Sequence, residues 1–198
     1  ALSDLKQIIA LSPPHISWYQ LTIEPNTQFA SKPPTLPQDE TLWDIQEQGQ
    51  ALLAQAGYQQ YEISGYAKPG FQCQHNLNYW RFGDYLGIGC GAHGKVTDAK
   101  TGVITRTEKV KHPRGYMDII KPYLYKSWQV EQDDLAFEFF MNRFRLTEPC
   151  PIEDYSALTN QPLQSQQAAL NKAINTGLLI EKDGHWQVSL KGHRFLND

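Results

Sequence analysis

The run His75-Asn76-Leu77-Asn78-Tyr79-Trp80 stands a few residues ahead of Gly87-Ile88-Gly89-Cys90-Gly91-Ala92-His93-Gly94. The first packs an imidazole, two carboxamides, a phenol and an indole into six residues. That set suits a flat aromatic ligand or a metal ion. The second supplies the small residues that let a backbone pass close to a bound cofactor. Its opening, Tyr85 to Gly89, reads as a short strand. Lys68-Pro69-Gly70 places the first run on a loop.

Outward from this centre, hydrophobic periodicity gives the remaining elements. Residues 1–10 fit a helix with Leu2, Leu5, Ile8 and Ile9 on one face, ended by Pro13-Pro14. His15 to Ile23 reads as a strand and the prolines from Pro25 to Pro37 as a long loop. A helix from Gln38, with Asp39 and Glu40 in its first turn, stops at Gly57. Tyr58 to Ser64 reads as the next strand, and strand–helix–strand predicts a parallel unit. Residues 94–107 predict a hairpin around Asp98-Ala99-Lys100-Thr101-Gly102. A short helix follows at 114–120. Residues 121–132 read as a boundary, which divides the chain into 1–122 and 123–198. Beyond it come helices at 133–144 and 164–176, two strands around Asp183-Gly184, and a last helix from Ser189. Helix, helix, hairpin is the order of a winged-helix unit.

The 198 residues are 40% hydrophobic and 20% charged, enough for one core or two small units and inconsistent with disorder. No apolar run approaches the roughly 18 residues that span a bilayer. The chain opens without Met inside a helix, which is expected of a fragment or cleavage product. Net charge is −3, unevenly spread. Residues 1–60 carry 2 basic and 6 acidic groups, residues 61–126 carry 10 and 5, and residues 127–198 carry 6 and 10. The central third is the natural place for an anionic ligand, or else presents a solvated basic face. Three cysteines, Cys73, Cys90 and Cys150, fit a reducing cytoplasm and match no zinc or iron–sulfur spacing. The absence of C-x-x-C-H excludes covalent c-type haem attachment.

His15 to Pro25 with Asn26-Thr27, then Tyr61-Glu62-Ile63-Ser64, His75 to Trp80 and Gly83 to Gly94 follow one another in an order that resembles haem chaperones of the HemW type. These belong to the radical S-adenosylmethionine (SAM) proteins and are similar to oxygen-independent coproporphyrinogen III oxidases. The resemblance implies an α/β plus α+β fold: the C-terminal part of an incomplete TIM-like radical SAM barrel, then a helical, winged-helix-like domain. It implies haem, SAM and a [4Fe–4S] cluster as cofactors of the complete protein. The C-x-x-x-C-x-x-C loop that holds the cluster is absent here, so this polypeptide alone is expected to be inactive, with no metal-binding or catalytic residue of its own. By position, Ala92 and His93 align with a SAM-contacting strand end, His93 acting through its backbone, and Thr22 aligns with a second SAM-lining strand. The motif His-Asn-Leu-Asn-Tyr-Trp matches the chaperones and not the oxidases. That favours haem binding and delivery over the alternative, oxidative decarboxylation of coproporphyrinogen III. Implied partners are haem or porphyrin and acceptor haemoproteins, in the cytoplasm; peripheral membrane association through acceptors and a homodimer stay open.

Within that resemblance His75 is the expected haem ligand, with Asn76, Tyr79 and Trp80 beside it. The competing reading is a loop whose asparagines satisfy turns and whose aromatics are core. Cys73 offers a thiolate or is a small buried residue. Arg81, Lys95 and Arg106 are candidate propionate partners or ordinary surface charges. His93 serves SAM or packs a strand end. Glu62 accepts a hydrogen bond from a ligand if it points into the barrel, or is a satisfied strand-end carboxylate. His15, His112, His185 and His193 show no pattern. Nucleic-acid binding by the winged-helix-like end is opposed by charge: Leu163 to Thr176 has one basic residue, Lys172, and the wing carries Glu181 and Asp183, whereas phosphate binding needs clustered Lys and Arg.

Overall fold

A computed structural model describes residues 1–196 as two compact units, 1–73 and 74–198 in chain extent. In the first, helix α1 (Leu2–Ala10) leads to β1 (His15–Ser17). One helical turn follows, α2 (Gln28–Ser31), capped by the Thr27 hydroxyl, which accepts from the Ala30 N–H at 3.2 Å. The long helix α3 (Asp39–Gln55) starts with Asp39 and Glu40 at its positive end and stops at Gly57, whose φ of +85° lies in the left-handed region. Strands β2 (Gln59–Gln60) and β3 (Gly65–Ala67) complete a sheet of order β1-β3-β2. Leu5, Ile16, Leu53, Tyr58 and Tyr66 form its core.

β1 and β2 run in the same direction, but they are not neighbours. β3 lies between them, antiparallel to both. The expected parallel unit is therefore split, because the chain turns back at Ser64 and its next three residues take the hydrogen bonds between the two strands. The strand expected over His15–Ile23 is likewise only three residues long.

The second unit opens with helix α4 (Gln74–Trp80). A three-stranded meander follows: β4 (His93–Thr97), β5 (Ile104–Lys109) and, after the short helix α5 (Pro113–Tyr116), β6 (Leu124–Gln129). The β4–β5 hairpin forms as expected. Asp98 ties its turn by accepting from the Thr101 N–H at 2.8 Å, and Gly102 adopts φ +71°. Within the stretch expected as a boundary, β6 pairs with β5 from Thr105↔Gln129 to Lys109↔Leu124. The compact units themselves divide at 73/74.

The remainder comprises α6 (Gln132–Arg143), β7 (Cys150–Pro151), α7 (Glu153–Thr159), one 3-10 turn (Leu163–Gln166), α8 (Gln167–Asn175), β8 (Leu179–Lys182), β9 (His185–Val188) and α9 (Leu190–Arg194). Gly177, with φ +74°, ends α8, and Ser189 caps α9 by accepting from the Gly192 N–H at 2.9 Å. The β8–β9 hairpin, joined by β7 on its far side, is the wing of a winged-helix-like arrangement. Its core is aromatic: Phe139 lies 5.4 Å from Tyr155, and Phe140 stacks on Tyr155 at 5.3 Å and meets Trp186 edge-on at 5.7 Å. No described helix is long and apolar enough to cross a membrane.

Candidate functional site

The motif expected on a loop is a helix. Over α4 each residue advances about 100°, so His75, Asn76, Tyr79 and Trp80 occupy one arc of about 140°. Leu77 turns away from it and is buried. The Asn78 amide donates to the Asp84 carbonyl at 2.8 Å, and the Gly83 N–H donates to the Asn78 carbonyl at 2.8 Å. These bonds close the end of the helix. A Cβ at Gly83 would lie 2.2 Å from the Asn78 side-chain oxygen, so only glycine allows this closure. Phe82 takes a left-handed φ of +65° and is buried against Phe139 at 5.6 Å. α4 is thereby fastened to the aromatic core at its C-terminal end.

His75 is exposed and its ring has no hydrogen-bond partner among the described residues. Tyr79 and Trp80 are half-buried and meet edge-on at 4.8 Å. Tyr85 lies 5.0 Å from Tyr79, and its hydroxyl accepts from Arg106 at 3.0 Å. Burial, with Tyr79 adding to it against the opposing effect of Arg106, pushes the Tyr85 phenol up to about 12. Tyr85 is therefore a neutral wall of the site. The Arg145 guanidinium lies over the Trp80 ring, 4.7 Å from its centre.

The three cations expected to meet propionates are already paired within the protein. Arg81 donates twice to Glu148, at 2.8 and 2.7 Å, and Glu148 also holds the buried Arg143 at 3.1 Å. The Arg81 hydrogen bonds, joined by Arg143, keep the Glu148 carboxyl below the usual carboxylate range in spite of burial. Arg106 is paired with Glu138. Lys95 is buried and donates to the Phe82 carbonyl at 2.9 Å and to Asp84 at 3.0 Å, with its ammonium 4.2 Å from the Phe82 ring centre. Burial lowers the Lys95 ammonium, and Asp84 opposes that. Sequence shows only that these residues are basic; the carboxylates that claim them arrive from other elements.

The glycine-rich segment is also different from expectation. It is not a strand: only Tyr85 bridges Lys95, and Gly89 and Gly91 take φ of +109° and +68°. A Cβ on Gly87 would lie 2.2 Å from the His93 carbonyl oxygen, and one on Gly94 would lie 2.7 Å from the Thr107 hydroxyl. These two glycines let the chain approach itself closely. The Ala92 carbonyl accepts from the Lys109 N–H at 2.8 Å. His93 begins β4 with an exposed ring that lacks a hydrogen-bond partner among the described residues. It is not strand-end core. Thr22 lies in the other unit, in an extended segment after β1, and is exposed. In that unit too, Glu62 is 2% exposed; one of its carboxylate oxygens accepts from Ser64 at 3.3 Å and the other has no partner.

The remaining histidines are held locally. His15 meets the Tyr61 hydroxyl at 2.8 Å, His112 caps α5, and His185 meets the Asp183 carbonyl at 2.8 Å. Burial lowers the His193 imidazole.

The donor set does not fit an iron–sulfur cluster. Among the described residues no three His, Cys, Asp or Glu side chains gather around a common point. Cys73 is half-buried, Cys90 exposed and Cys150 buried, its thiol pushed up to about 12 by burial. Haem suits the residues better: an exposed imidazole beside two half-buried aromatic rings has the chemistry of an iron ligand next to an apolar platform.

Residues 130–195 match the HemN C-terminal domain family. The chain has the fold of coproporphyrinogen III oxidase (HemN) from Escherichia coli, a radical SAM enzyme, with a TM-score of 0.71 and 18% identity over 98% of this chain and 48% of that one. It is thus the matched half of a radical SAM fold, ending in the helical, winged-helix-like domain. The chain is 59% identical over its whole length to heme chaperone HemW of Escherichia coli strain K12, and 58% identical to that of Haemophilus influenzae. It spans about half the length of these curated relatives, 51% of each. Over its whole length the chain is thus similar to about half of these HemW proteins.

Proposed function

We propose that this chain is the haem-holding portion of a radical SAM haem chaperone, with His75 as the iron ligand and Asn76, Tyr79 and Trp80 as its platform. One observation carries the reading: α4 presents an unpartnered imidazole on the same arc as two half-buried aromatic rings. Neutral imidazole is a good iron ligand, and Tyr79 and Trp80 cover apolar macrocycle area while their edges stay near water. In the complete protein SAM and a [4Fe–4S] cluster are supplied with ligands outside this sequence, and Ala92 and His93 contact SAM. The protein works in the cytoplasm and hands its haem to acceptor haemoproteins.

The test is a haem titration of the protein and its His75→Ala variant, followed by the Soret band. Saturable binding that weakens or shifts in the variant supports the reading. Identical spectra remove His75 as ligand. Turnover of coproporphyrinogen III by the complete protein would instead make it an oxidase.

A further inference from the structure

Arg145 lies in the turn after α6, and its guanidinium covers Trp80 at 4.7 Å. Its Nε is buried with no hydrogen-bond partner, and among the described residues no carboxylate forms an ion pair with it. Its neighbours differ in this respect: Arg81 and Arg143 share Glu148, Arg106 has Glu138, and Lys95 has Asp84. A guanidinium that is partly withdrawn from water and left without an anion is costly unless a ligand supplies one. Its planar fork matches a carboxylate with two parallel hydrogen bonds, and stacking on an indole orients that fork. His75 and Trp80 are five residues apart on α4, about 7.5 Å along the helix axis, so Arg145 is set to one side of the imidazole and not above it. That is the relation between the centre of a macrocycle and an acid group on its edge.

We propose that Arg145 binds a propionate carboxylate of the porphyrin ligand, with Trp80 as the surface on which its guanidinium is held. This rests on the haem reading of α4. It replaces Arg81, Lys95 and Arg106 in that role.

The experiment compares haem with its propionate dimethyl ester, titrated by Soret absorbance in the same dilute detergent, against the full-length protein and its Arg145→Gln and Arg145→Met variants. The Met variant keeps an apolar chain over Trp80, so at least one variant retains the packing; far-ultraviolet circular dichroism checks the fold. Wild type should prefer the free acid over the ester by about tenfold or more. Both variants should bind the two forms alike, at the ester's affinity. A wild-type preference that survives in a folded variant overturns the assignment of Arg145 and leaves the haem site standing. Equal wild-type affinity for acid and ester does the same. Failure of wild type to bind either form overturns the haem reading and this assignment with it.

Discussion

Two aromatic clusters of the second unit use the same residue types to opposite ends. Phe139, Tyr155 and Trp186 are 0%, 1% and 1% exposed and packed ring against ring. Tyr79, Trp80 and Tyr85 also contact ring to ring, at 4.8 and 5.0 Å, yet each keeps part of its surface in water. The first cluster is surrounded by aliphatic side chains. The second is surrounded by charges: Arg145 over Trp80, and Arg106 on Tyr85. Aromatic rings bury themselves wherever apolar partners close around them. Guanidinium groups lie against these rings instead, and part of each ring's surface stays in water.

Substitutions that separate stability from binding break or sharpen this contrast. Phe139→Ala should cost the most, about 4 kcal/mol in a denaturant titration, because it opens a cavity between Phe82 and Tyr155. Glu148→Gln should follow at about 3 kcal/mol, since Arg143, 3% exposed at its side chain, keeps only Asp154 at 3.8 Å as counter-charge. The Glu148 carboxyl is held below its unfolded value, so its contribution is present above that value, about 4.3. It is lost as pH falls through the lower folded value. The acid limb of the stability profile should therefore flatten in the variant, while the profile near pH 7 shifts without changing shape. Trp80→Ala should cost only about 1 kcal/mol of stability and yet weaken haem binding. A loss as large as that of Phe139→Ala would place Trp80 in the core and erase the contrast. His75→Ala should leave the thermal midpoint unchanged, because the ring is exposed and unpartnered, and alter only the Soret band.

Much of the fold is legible along the chain because the signals are local. Gly57 and Gly177 stop their helices through a left-handed φ that glycine adopts without strain, and Ser189 caps the helix that follows it. The hairpin turn at Asp98 to Gly102 is written in its own side-chain bonds. α4 is not legible in this way. Two asparagines and two aromatics in seven residues have weak helical preference, and the helix forms because Leu77 is buried and Asn78 ties to the segment beyond Gly83. β6 is similarly hidden, since most of its residues are exposed and it is a strand only because β5 offers a free edge.

The sequence by itself determined the likeness to haem chaperones, the helix stops and the hairpin turn, because residue identity and short-range spacing carry all three. Tertiary structure decided which cations are free. Arg81, Lys95, Arg106 and Arg145 look alike in the chain. Carboxylates brought in by Glu148, Asp84 and Glu138 claim the first three and leave the last over Trp80. The physical reason is that a charge acts across space, over a few ångströms, and distance along the chain says nothing about which opposite charge arrives there.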